Sequence, residues 1–187
     1  SEIMLIATAS ALHDIGKIAI PEEVLNKPGR LTDEEFIQMK KHSEIGASML
    51  EDLPFEQDEP LVRIAHDICR WHHERYDGRG YPDGLKGDEI PISAQAVALA
   101  DVYDALTSER VYKKAFPHEK AIQMIVNGEC GTFNPLLMQC LSEIADDLLR
   151  EKDADPHGNR GEQEMRNVTA EMLHHEELSV SERTLRL

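Results

Sequence analysis

Histidine and aspartate recur at several places along the first part of the chain. They are His13, Asp14, His42, His72, His73, Asp101 and Asp104. Imidazole and carboxylate together favour iron, manganese, zinc or nickel over calcium or magnesium. The mixed nitrogen and oxygen set therefore predicts a divalent metal site suited to hydrolysis.

Three of these histidines and one aspartate occur in adjacent pairs, His13-Asp14 and His72-His73. Neighbouring side chains on a helix point about 100° apart, so both members of a pair reach a single ion only with difficulty. Each pair reaches two adjacent ions more easily. An aspartate that bridges two ions, with a hydroxide opposite, would give a two-metal clamp suited to in-line attack on phosphorus.

Helices must position these residues, because hydrophobic spacing is helical almost throughout and no convincing strand alternation occurs. A first helix carries Ile3, Ile6 and His13 on one face, and we expect Gly16 to end it. We predict an extended connection over residues 18–31. Thr32 and Glu35 form a capping-box pattern that predicts a helix over 33–51.

The second half of the chain repeats this helical pattern around one long glycine-rich segment. We predict helices over about 61–72, 94–108, 117–128 and 135–151, the last with Asn134 as its N-cap. The segment 76–93 between them has too much glycine and proline for a helix. Long ordered loops in compact domains are usually functional, so this one is a candidate part of the site.

The composition excludes several classes of protein. The 187 residues carry a formal charge of −16, which argues against binding of duplex nucleic acid. No apolar run is long enough to span a bilayer, so we expect no membrane insertion. Cys69, Cys130 and Cys140 lack metal-site spacing and read as reduced thiols, which favours a cytoplasmic location.

The composition also divides the chain. Residues 1–152 contain the helical pattern and all the candidate ligands, whereas 153–187 begin with a polar linker and end in a short amphipathic stripe. That stripe is too short to be a stable helix alone, so we expect it to pack on a partner.

Several motifs, in order, resemble the HD-GYP family, a branch of the HD phosphohydrolase superfamily. They are HDIGK at 13–17, NKPG at 26–29, HHERYDGRGYP at 72–82, GLKG at 84–87 and ADVYDALTS at 100–108 followed by Arg110, Tyr112 and Lys113. The resemblance covers about residues 1–150. It implies an all-α, HD-domain-like bundle with a long GYP loop.

The resemblance also implies an activity, the bacterial hydrolysis of cyclic di-GMP to pGpG or GMP with two or three divalent ions, iron or manganese first among them. Lys17 would pair with Asp104 or assist the leaving oxygen, and Tyr81 would shape the nucleotide pocket. Arg110 and Lys113 would hold the phosphates. The metal ligands it implies are His13, Asp14, His42, His72, His73 and Asp101.

Three departures from the family pattern stand out. Asn134 occupies a position where the family usually has Asp, and Gln95 one where it commonly has Arg. Family members also carry a metal-binding histidine about thirty residues before the HD pair, and only twelve residues precede His13 here. We therefore expect an upstream sensor or receiver domain in a longer parent. We also expect this chain to fold, hold metal weakly and hydrolyse little until upstream residues are restored.

Two other functions remain open, a different HD-type nucleotide phosphohydrolase and a non-catalytic module that binds signalling proteins. The sequence also leaves open whether the chain forms a homodimer. We predict that His66 and His118 have ordinary structural roles. We predict that His174 and His175 are part of a solvated surface.

Overall fold

The computed structural model describes residues 1–53, 59–109 and 114–154, with the backbone alone for 151–154. Ser1–Asp146 form one compact unit. The second unit, Asp147–Leu187, is described only through residue 154. The predicted boundary at residue 152, the linker and the C-terminal stripe lie at or beyond the end of the described residues and stay predictions.

The described ranges contain helices and no strand, which confirms the predicted all-α class. The helices are α1 Glu2–Ser10, α2 Glu22–Leu25, α3 Asp33–Glu51, α4 Pro60–Trp71, α5 Ile92–Thr107, α6 His118–Val126 and α7 Pro135–Ala154. Short 3-10 helices cover Ile15–Ala19 and Gly87–Glu89. Over these ranges no helix combines the length and the apolar character that a bilayer span needs.

Helix α3 begins where its capping pattern predicts. The Thr32 hydroxyl accepts from the Glu35 amide at 3.3 Å, and the Glu35 carboxylate accepts from the Thr32 amide at 2.7 Å. These two bonds satisfy donors that a helix N-terminus otherwise leaves unpaired. The cap fixes the start of the helix that carries His42.

The hydrophobic core lies between α1, α3, α4 and α5, with α4 in contact with the other three. Its buried members are Ala9, Ala47, Leu50, Ala65, Ile68, Cys69 and Val97, with Leu12 and Ile64 packed against them. Most of these residues are small, so the helices approach one another closely. The same helices position the predicted ligands.

Two expectations about the first connection are wrong. Helix α1 ends at Ser10, and Gly16 lies inside the Ile15–Ala19 3-10 helix without the positive φ of a C-cap glycine. A Cβ at Gly16 would stand 2.0 Å from the His42 carbonyl oxygen, so glycine is needed there for close backbone contact. The extended connection also contains the one-turn helix α2, which Val24 anchors in the interior.

Candidate metal centre

The predicted ligands lie around the C-terminal end of α4. His13 and Asp14 occupy the turn between α1 and the Ile15–Ala19 3-10 helix, and His42 lies on α3. His72 directly follows α4, and His73 follows it. His42 and His72 are each about 1% exposed.

Four of the predicted ligands form a tight cluster. One ligand atom from each of Asp14, His42, His72 and His73 lies within 4.8 Å of the others. The His42 and His72 Nε2 atoms are 3.5 Å apart, and the Asp14 Oδ1 atom is 3.4 Å from the first and 3.9 Å from the second. This spacing leaves room for ligands to share an ion.

Backbone carbonyls fix the tautomers of three histidines. Nδ1 of His13 lies 2.7 Å from the Ser10 oxygen, Nδ1 of His42 lies 2.7 Å from the Met39 oxygen, and Nδ1 of His72 lies 2.9 Å from the Ile68 oxygen. A carbonyl only accepts, so each Nδ1 carries a proton and donates it. In a neutral ring the Nε2 atom is then left with a lone pair.

The ligand atoms of the cluster are suited to binding a cation. Two neutral Nε2 atoms and the Asp14 Oδ1 atom face one another, and all three are acceptors. The Oδ1 atom is buried and has no hydrogen-bond partner among the described residues. Buried acceptors without donors are costly, and a divalent ion at their centre removes that cost.

The protonation states of the clustered side chains are suited to metal binding. Burial, and then the charge of His13, lowers the pKa of His72 to about 4, and burial with the charge of His72 lowers the pKa of His73 to about 2. Burial also disfavours ionised Asp14, but hydrogen bonds from His13 and Lys17 outweigh it and hold the pKa of Asp14 well below its usual range. At neutral pH the cluster therefore offers neutral imidazoles and an ionised carboxylate.

His13 contacts the cluster, whereas Asp101 is not among its four residues. The His13 Nε2 atom is 3.2 Å from the Asp14 Oδ2 atom. Burial alone would lower the pKa of His13, but the hydrogen bond and charge of Asp14 outweigh burial and raise it. Asp101 faces His13 in a groove of about 590 Å³ between α1 and α5, whose other lining residues include Ile3, Ile6 and Ala7.

The predicted pairing of Lys17 with Asp104 is not the one that forms. The Lys17 ammonium lies 2.5 Å from the Asp14 Oδ2 atom. Asp104 lines the same groove as Asp101 and accepts from the Ser108 hydroxyl at 2.8 Å. Lys17 is three residues after Asp14 on a 3-10 helix, whose period of three brings the two side chains together.

The long loop covers the cluster with Tyr81. Its ring stacks on that of His73, with centroids 4.7 Å apart and an interplanar angle of 25°. The Tyr81 amide donates to the His73 carbonyl at 3.3 Å. The side chain predicted to shape the pocket thus lies directly against a predicted ligand.

Two carboxylates that the sequence analysis did not single out hold this loop. Glu74 is buried, and its Oε1 atom accepts from the amides of Asp83 and Gly84 at 2.7 and 2.9 Å. Asp83 in turn accepts two bonds from Arg70 and one from Trp71. These bonds tie the loop to the last turn of α4, next to His72. Only the position of Glu74 directly after the histidine pair could have pointed to it.

The two departures Gln95 and Asn134 are partners. The Asn134 amide donates to the Gln95 side-chain oxygen at 3.0 Å, and the Gln95 amide donates to the Ile90 carbonyl at 2.7 Å. Asn134 Oδ1 also accepts from the Leu136 amide at 2.9 Å, which caps α7 as predicted. Two neutral hydrogen bonds thus join α5 to α7 and to the end of the loop.

We expect Gln95 and Asn134 to be energetically coupled. In a double-mutant cycle of Gln95→Ala and Asn134→Ala, the coupling in the free energy of unfolding should be about 0.5–1.5 kcal/mol, measured by urea denaturation. The exposed pair Gln139 and Glu143 on α7, 2.9 Å apart, is the control and should couple by less than about 0.5 kcal/mol. Equal coupling in both pairs would refute a structural role for the first.

Of the remaining histidines and predicted phosphate-binding residues, only His66 and His118 are described, and neither belongs to the cluster. Arg110 and Lys113, like His174 and His175, fall outside the described residues. His66 lies 3.0 Å from a Glu51 oxygen, and His118 lies 2.8 Å from the Tyr103 hydroxyl. Both make ordinary structural contacts.

The described residues form a helical bundle in which three histidines cluster with the aspartate of the HD pair. Residues 3–135 match the family described as "HD domain", and the chain belongs to that family. This bears out the resemblance carried by the HD and GYP motifs.

The chain is also similar in sequence to several proteins named as phosphodiesterases. The chain is 47% identical over 143 residues to a "Cyclic di-GMP phosphodiesterase" of Vibrio cholerae, covering 76% of this chain and 29% of that protein. It is 44% identical over 157 residues to one of Thermotoga maritima, covering 82% and 42%. It is 40% identical over 149 residues to a "3'3'-cGAMP-specific phosphodiesterase 2" of Vibrio cholerae, covering 80% and 28%. The chain thus spans less than half the length of these relatives.

Proposed function

We propose that the chain is the hydrolytic domain of a cytoplasmic, metal-dependent phosphodiesterase that converts cyclic di-GMP to pGpG or GMP. The observation that carries the proposal is the convergence of the His42 and His72 Nε2 atoms on the orphaned Asp14 Oδ1 atom. The names of two relatives supply the substrate.

Each protein group has a role in this proposal. His13, Asp14, His42, His72, His73 and Asp101 hold two or three divalent ions, with iron or manganese preferred. Bound ions of this kind polarise a phosphoryl oxygen and activate water.

Lys17 favours ionised Asp14 through its contact with Oδ2 and would protonate the leaving oxygen. Tyr81 closes the pocket above His73. Asp104 lines the groove between α1 and α5 that also contains Asp101.

Cyclic di-GMP is one of two cyclic dinucleotides that the relatives' names favour, the other being 3′3′-cGAMP. A single-turnover assay, with protein in excess over substrate and with saturating Mn²⁺, detects slow hydrolysis. It compares the hydrolysis rates of the two cyclic dinucleotides with those of nucleoside monophosphates. We expect cyclic di-GMP to be converted fastest, and EDTA to stop the reaction. Faster loss of 3′3′-cGAMP or of a monophosphate would reassign the substrate. Binding of cyclic di-GMP without hydrolysis would indicate an interaction module.

We expect Arg110→Ala, and more weakly Lys113→Ala, to raise the substrate concentration needed for half-maximal turnover without changing metal content. A charge-assisted phosphate contact is worth about 1.5–3 kcal/mol, so apparent affinity should fall about ten- to a hundredfold. Steady-state kinetics and elemental analysis measure the two effects. Unchanged affinity in the double variant would exclude both residues from phosphate binding.

A further inference from the structure

Three side chains form a corner on the surface beside the cluster of Asp14, His42, His72 and His73. The rings of Phe36 and Tyr81 meet edge to face, with centroids 6.3 Å apart at 83°. The Lys40 ammonium lies 5.3 Å from the Phe36 centroid and 5.7 Å from that of Tyr81. Phe36 and Lys40 are four residues apart on α3, so they share one face of that helix.

The corner is continuous with the cluster. Tyr81 stacks on His73, and the His73 ring lies 5.0 Å from that of His42, two residues beyond Lys40 on α3. A ligand held at the cluster therefore has an aromatic surface beside it. That surface is open, because 48% of Phe36 is exposed.

The cation at this corner is available to a ligand. Lys17 and Lys27 each lie 2.5 Å from a carboxylate oxygen, of Asp14 and Glu35. Among the residues that the structure describes, Lys40 forms no such ion pair and faces the two rings instead. In a chain of formal charge −16, an ammonium without a carboxylate partner beside a metal cluster is suited to an anion.

We propose that Phe36 and Lys40 complete a nucleotide-binding corner with Tyr81, in which Phe36 stacks on a purine base and Lys40 pairs with a phosphate of the same ligand. This inference rests on the proposed function, since it assigns two further residues to recognition of the cyclic dinucleotide. Aromatic rings bind bases through their faces, and a lysine binds phosphate as a point charge.

The alternative is that Phe36 and Lys40 are only neighbours on an exposed helix face. Such a pair would contribute slightly to helix stability and nothing to ligand binding. Binding measurements therefore separate the two interpretations, provided that thermal unfolding is measured on the same variants.

The test is calorimetric titration of the full chain at saturating Mn²⁺ with two probes. GMP carries base and phosphate, and a phosphorothioate analogue of cyclic di-GMP carries both in a form that resists hydrolysis. We expect Phe36→Ala to weaken binding of both probes about five- to a hundredfold. We expect Lys40→Met to weaken it about ten- to a hundredfold. Metal content and the midpoint of thermal unfolding should be unchanged.

Matched controls come from the adjacent positions of α3. Ile37→Ala removes an apolar side chain that is 56% exposed, and Lys41→Met removes an exposed charge. Neither residue belongs to the corner, so both variants should bind the probes within about twofold of the unmodified chain.

The outcomes separate this inference from the proposed function. If the unmodified chain binds both probes and the Phe36 and Lys40 variants bind them equally well, the corner is refuted and the proposed function stands. If GMP binding is weakened as expected while the dinucleotide analogue does not bind even the unmodified chain, the corner stands and the proposed substrate is refuted. If the unmodified chain binds neither probe, both are refuted.

Discussion

Replacing His72 with alanine is expected to remove most of the bound metal and to lower turnover of cyclic di-GMP at least about 100-fold. The residue is about 1% exposed, and its Nε2 atom faces the His42 Nε2 atom and the Asp14 Oδ1 atom, so its loss opens the centre of the cluster. Loss of a ligand also removes the ion's activation of water. Elemental analysis after dialysis and the single-turnover assay measure the two effects. Asp101→Ala should act in the same direction.

His66→Ala is the matched control, because His66 lies on α4 and contacts Glu51 and Asp67 rather than the cluster. It should keep its metal and its turnover. The same holds for His174→Ala, which tests whether the second His-His-Glu sequence binds metal instead. Full metal content and activity in His72→Ala would contradict the ligand assignment.

Gly16→Ala is expected to lower the stability of the fold strongly. The new Cβ would stand 2.0 Å from the His42 carbonyl oxygen and 2.5 Å from the Gly46 amide nitrogen, and both are backbone atoms of α3. Overpacking against backbone costs about 3 kcal/mol or more, which lowers the midpoint of thermal unfolding by about 6–12 °C. Differential scanning calorimetry measures the shift. Metal affinity should fall too, because Asp14 and His42 are held together by this contact.

Gly87→Ala provides the comparison. Gly87 has φ of +60° and open space around its Cα, so alanine there meets only the strain of a left-handed residue, about 1–2 kcal/mol. If Gly87→Ala lowers the free energy of unfolding less than Gly16→Ala does, close packing rather than backbone strain is the constraint at Gly16. Equal losses would mean that close contact between the 3-10 helix and α3 is not the constraint at Gly16.

The starts of α3, α4 and α7 were predictable because local signals agree with their environment. Thr32 and Glu35 cap α3, Pro60 and Pro135 open α4 and α7, and the apolar spacing places one face of each helix inward. The connection after α1 was not predictable from local signals. Gly16 reads locally as a helix end, but its contact with α3 is a tertiary constraint that spacing does not reveal.

The ligand types could be inferred from residue chemistry, whereas their arrangement could not. Nothing in the spacing of His42 and His72 shows that their Nδ1 atoms both donate to backbone carbonyls and leave two lone pairs facing Asp14. The hydrogen bond between Gln95 and Asn134 links residues 39 positions apart, so it too required the fold. Residues far apart in the chain become partners only through packing.

The central claim is that Asp14, His42 and His72 converge on a divalent ion. Anomalous diffraction at the manganese absorption edge, from crystals of the chain grown with Mn²⁺, tests it most directly. The account predicts a peak about 2.0–2.4 Å from the Nε2 atoms of His42 and His72 and from the Asp14 Oδ1 atom. Manganese bound only elsewhere, with these three atoms engaged by water or protein donors, would contradict it.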